Sequence, residues 1–61
     1  MGEREKFLNL YNNLPIKLRS EVVLVLRNKE PITWNVAYGE ISNNTPLGEE
    51  ILKGLVELKI I

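Results

Sequence analysis

Apolar residues fall on helical spacings towards both ends of this chain and crowd together in its middle. Phe7, Leu10, Tyr11 and Leu14 follow an i, i+3, i+4, i+7 spacing, which is the stripe of an amphipathic helix. Glu5, Lys6, Asn9, Asn12 and Asn13 take the other side. The pattern predicts a helix over residues 3–14. Glu3 and Glu5 sit in its first turn, where the helix dipole favours negative charge. Asn12, Asn13 and Pro15 end it, because proline drives its predecessor out of the helical region.

The densest apolar run is EVVLVL, residues 21–26, and its conformation decides the fold class. Pro15 suits the first turn of a helix. A helix over 15–27 gathers Leu18, Val22, Val25 and Leu26 on one arc, widened by Ile16 and Val23, with Leu24 almost opposite. A helix this apolar all round is a central helix or one side of a dimer. The alternative is a strand that turns at Asn28-Lys29 and returns through Pro31-Ile32. The valines favour strand. Against it, Lys29 is a poor substitute for the Gly such a turn prefers. Pro31 confines the return strand to a sheet edge, and a hairpin that short is hard to stabilise. The balance favours helix, and with it an all-α, compact three- to four-helix domain with a helix-turn-helix-like core. The alternative is α+β, with a short β-hairpin at 21–32.

Thr33 is a good N-cap for a third helix over 34–42, with Trp34, Ala37, Tyr38 and Ile41 as its buried stripe. Thr45-Pro46 supplies a cap and a proline at the first helical position for a last helix over 46–59. There Leu47, Ile51, Leu55 and Leu58 face inward with Leu52 beside them, and Glu49, Glu50, Lys53 and Glu57 face out. Ile60-Ile61 predicts a tail that packs onto the core or onto a partner.

Sixty-one residues make one domain, residues 1–61. A chain this short buries only about 60% of its unfolded surface. Cys, His and Asp are absent, so there is no disulfide or thiolate-metal staple, and oligomerisation is the reinforcement most available. Residues 1–31 hold six basic and four acidic side chains, while residues 32–61 hold two and four. That imbalance is an ordinary solvated surface, or a dipolar molecule that pairs head to tail. No run is long enough to cross a bilayer, and the expected localisation is cytoplasmic. Abundant charged and aliphatic residues lean towards a thermophilic source; seven Asn lean the other way.

Candidate chemistry is thin. A metal site would have to be built from Glu and carbonyls, and the adjacent Glu49 and Glu50 point in different directions on a helix. Nucleophilic catalysis lacks both His and Cys, and Ser20 and Ser42 have no evident base. Gly39, Gly48 and Gly54 form no phosphate loop; their spacing is a helix-packing possibility. The expectation is a chain that is not an enzyme, with no cofactor, metal or small-molecule substrate. Phe7, Tyr11, Trp34 and Tyr38 have the chemistry to stack on bases, but all fall on predicted buried stripes. Leu24 and Val36 project off those stripes and join Ile60 and Ile61 as candidates for a protein contact surface.

From Arg19 onward, about two-thirds of the chain, the sequence resembles the helix-turn-helix part of winged-helix domains. VVLVLRNKEPITWNVAYGEI is similar to their first helix, a "G-E-P-L-T" turn and a Thr-capped second helix. ILKGLVELKII is similar to the later part of their recognition helix, with Lys59 where a Gly is common. The resemblance implies a tri-helical fold and a DNA-binding regulator. Its candidate nucleic-acid contacts are Lys17, Arg19, Arg27, Lys29, Thr45 and Lys53. No wing is expected, since the chain stops where one would begin. The start of the recognition helix carries Glu49 and Glu50, which phosphates repel.

Two functions follow as expectations. The first is a non-catalytic interaction module, self-associating or protein-binding. The second is the helix-turn-helix DNA regulator.

Overall fold

The structure, a computed structural model, describes residues 2–61. Helix α1 spans Glu3–Asn12, and a 3₁₀ helix spans Ile16–Ser20. Strands β1 (Val22–Val25) and β2 (Pro31–Thr33) form an antiparallel hairpin. Helices α2 (Trp34–Ser42) and α3 (Pro46–Glu57) follow. The domain is therefore helix-rich with a two-stranded sheet, on the α+β alternative rather than the all-α expectation.

The correction falls on residues 15–27. Pro15 does not start an α-helix. Its backbone is extended, at φ −57° and ψ 142°, and it precedes the 3₁₀ helix, which opens with Leu18 N–H donating to Pro15 C=O at 2.9 Å and closes with Glu21 N–H donating to Leu18 C=O at 3.0 Å. Glu21 then returns to extended geometry, and the valines continue as strand. Burial decides the contest. As a helix, EVVLVL would leave apolar side chains pointing outward on every side. As a hairpin, Leu24 and Ile32 pair across the strands and both face the core, while Val25 and Pro31 pair on the solvent side.

The turn is also not the two-residue one expected at Asn28-Lys29. Leu26 N–H donates to Glu30 C=O at 3.0 Å, and Lys29 N–H donates to Leu26 C=O at 2.8 Å. That is a three-residue loop, in which a tight turn is followed by one left-handed residue. Lys29 takes that position at φ 67°. The Asn28 carboxamide oxygen accepts from Glu30 N–H. A hairpin this short is marginal alone and needs a helix against it. Gly54 provides the seat, because a Cβ there would lie 2.9 Å from Leu24 Cδ1.

The other elements follow the pattern more closely. Helix α1 ends two residues before the predicted 14. Helix α2 has its predicted bounds, and Thr33 Oγ1 accepts from Val36 N–H. Helix α3 stops at Glu57, so Leu58 is exposed instead of buried. Lys59, at φ 60°, makes the left-handed close of α3. Its N–H donates to Val56 C=O, and Ile60 N–H donates to Leu55 C=O, the paired bonds of a Schellman motif. These elements enclose one core: Phe7, Tyr11, Leu24, Ile32, Ala37, Ile41, Ile51 and Leu55. The radius of gyration, 10.4 Å, is that of a single compact unit, for which about 10.5 Å is expected at this length.

Candidate functional site

Helices α2 and α3 are joined by three residues, and the join is tightly built. Asn44 takes a left-handed conformation at φ 57°, which Asn tolerates better than other side chains. Its N–H donates to Ile41 C=O, and Thr45 N–H donates to Glu40 C=O, so α2 ends in the same motif as α3. Thr45 also begins α3. Its Oγ1 accepts from Gly48 N–H at 2.9 Å and donates to the Glu40 carboxylate. Arg4 reaches across from α1, donating from Nε to Ile41 C=O at 3.0 Å and from Nη2 to Ser42 C=O at 2.9 Å. A cation there adds a second partner to Ile41 C=O, bonds the last carbonyl of the helix at Ser42, and meets the negative end of its dipole.

The six candidate nucleic-acid residues separate. Thr45 has its hydroxyl committed to the cap. Arg19 lies half-buried with its guanidinium carbon 4.5 Å from the centre of the Tyr11 ring, and Nη2 donates weakly to Tyr11 C=O at 3.4 Å. Tyr11 in turn stacks on Tyr38 at 4.3 Å between ring centres and donates from its hydroxyl to the Asn35 carboxamide oxygen at 2.6 Å. Arg19 is thus the outer layer of an aromatic stack that fixes the 3₁₀ helix against α1 and α2. Lys17 is exposed beside it.

Arg27 and Lys29 sit at the far end of β1, on the hairpin loop. Arg27 and Lys53 line one open cleft of about 420 Å³ between that loop and α3, together with Glu50 and Glu57. The cleft therefore carries two positive and two negative side chains.

The outward face of α3 is mainly acidic. Glu49, Glu50, Lys53, Val56 and Glu57 are all exposed. Beside this face lies a shallow groove of about 350 Å³. Leu52 and Val56 supply its apolar lining, and Glu3, Glu49, Glu57 and Lys53 its charged groups.

The four candidate contact residues also separate. Leu24 is buried and packs under α3, so it belongs to the core and not to a surface. Val36 is exposed. Ile60 and Ile61 are half-buried against the core. Other exposed apolar residues escaped the sequence reading, chief among them Ile16 at 80% exposure, with Leu18, Val22 and Val56. A helix over 15–27 gave Ile16, Leu18 and Val22 a packed arc; the observed turn and strand remove it. Gly48 and Gly54, noted as possible packing positions, mark the places where α3 touches α2 and β1.

Compared with models of protein families, with curated proteins and with solved structures, the chain matches none. Among the described residues no group of three or more metal-ligating side chains comes together, and no helix is long and apolar enough to cross a membrane.

Proposed function

We propose that this chain is a non-catalytic interaction module, in which the α2–turn–α3 pair displays a surface to another protein chain. The observation that carries this reading is the outward face of α3. A helix-turn-helix protein that reads DNA presents its second helix to the major groove, among phosphates. Here that face offers Glu49, Glu50 and Glu57 around a single Lys53. Leu52 and Val56 line a groove beside this acidic face, apolar surface of the kind a protein partner covers.

The DNA reading draws support from the three-residue join of α2 and α3 and from Arg27 and Lys53 lining one cleft. Glu50 and Glu57 in that same cleft oppose the counterion release on which DNA affinity depends.

Photo-crosslinking amino acids placed singly at Ile16 and Val56 test the reading in the cell that makes the protein. The expected result is discrete adducts to protein from both positions. Adducts to nucleic acid, or retention on duplex DNA at low salt that Lys53→Ala abolishes, would overturn it.

A further inference from the structure

The reading as an interaction module leaves its partner open, and two surfaces of this chain complement each other. One is the groove beside α3, with Leu52 and Val56 as apolar lining and three Glu against one Lys around them. The other is the 3₁₀ helix. It presents Ile16, Lys17 and Leu18 in succession, an exposed cation between two exposed aliphatic side chains. Ile16 is the most exposed large apolar residue described.

The two surfaces belong to different sides of α2. Tyr38 carries the stack that holds the 3₁₀ helix, whereas the Glu40 carboxylate faces Thr45 at the start of α3. Residues two apart on a helix point about 200° apart. One chain therefore does not close this contact on itself.

Resting on the reading above, we infer that the 3₁₀ helix of one copy docks into the α3 groove of a second copy. Ile16 enters against Leu52 and Val56, and the long Lys17 side chain beside it meets the glutamates of the rim. The charge pattern selects the orientation, since two copies of the groove repel and two copies of the 3₁₀ helix repel. The contact is head to tail, so each added copy leaves one groove and one 3₁₀ helix free. Assembly then grows with concentration instead of stopping at two. It weakens as salt rises, because the Lys17–Glu attraction acts at an exposed rim.

Two variants at exposed positions, Ile16→Asp and Val56→Asp, test this by sedimentation velocity up to about 1 mM, the weak end of measurable association. Circular dichroism first establishes that both fold. Wild type is expected to form species that grow with concentration. Each variant alone is expected to associate at least about tenfold more weakly, as loss of a buried aliphatic contact implies. Mixed in equal amounts, they are expected to form a dimer and nothing larger, because each retains the half that the other lacks. A wild type that stays monomeric throughout, or a mixture no more associated than its parts, would overturn the inference. Crosslinks to a different protein would also overturn it while leaving the interaction-module reading intact.

Discussion

A Cβ on Gly48 would stand 2.5 Å from the carbonyl oxygen of Glu40 and 2.8 Å from its carbonyl carbon. The first turn of α3 lies directly on the backbone of α2, and only a residue without a side chain fits. The contact is to backbone, which cannot swing aside as the end of a side chain does.

Gly48→Ala should therefore destabilise the domain by about 1–3 kcal/mol through overpacking, despite alanine's better helix propensity. Gly39→Ala is the control. It lies inside α2 with open space where its Cβ would go, so it should stabilise by about 0.5–1 kcal/mol. Urea denaturation of the two variants measures both signs.

Two lysines occupy left-handed backbone positions, Lys29 in the hairpin loop and Lys59 at the close of α3. Such a conformation costs a residue with a Cβ about 1–2 kcal/mol. Glycine relieves that cost but adds freedom to the unfolded chain worth about 0.4–1 kcal/mol. Lys29→Gly and Lys59→Gly should each raise stability by up to about 1 kcal/mol, read as a later denaturation midpoint with an unchanged slope.

Neighbours on β1 should respond very differently. Leu24→Ala empties a core position under α3 and should cost about 2–5 kcal/mol, much of the roughly 3–9 kcal/mol that a chain this long has available. Val25→Ala changes a solvent-facing side chain and should stay within about 0.5 kcal/mol. Equal losses at the two positions in thermal melts would argue against the strand.

Arg4→Met keeps the aliphatic stem but removes both donors to the end of α2. The loss should be about 1–2 kcal/mol, as for hydrogen bonds from a charged group in a partly buried setting. Arg4→Lys should recover only part of it, since one ammonium does not reproduce the guanidinium's fixed fork. Chemical denaturation of the pair separates charge from geometry.

Much of the helical framework is legible without coordinates, because its signals are local. Thr33 and Thr45-Pro46 mark helix starts by chemistry that acts within one turn, and Phe7, Tyr11, Ile41, Ile51 and Leu55 are readable as core from spacing alone. The acidic outer face of α3 is legible for the same reason. The contact surfaces are not. Leu24 looks free on a helical wheel and is core on a strand, while Ile16 looks packed on that wheel and is exposed on a turn. Arg19 reads as a free cation until Tyr11, eight residues earlier, is brought beneath it. Arg4 gives no local sign that it will close the end of α2.

The sequence alone determined where α2 begins and ends, where α3 begins, and that Ala37, Ile41, Ile51 and Leu55 face inward; Tyr38 and Leu58, expected on the same stripes, are exposed. Tertiary structure decided residues 21–26, because a Val-rich run with a competent helix start is locally close to balanced between helix and strand. What tipped it was remote: α3 offers a seat at Gly54 for Leu24, and Ile32 pairs beside it, so the hairpin gathers its buried side chains on one face where a helix would have pointed those of residues 22–26 to every side.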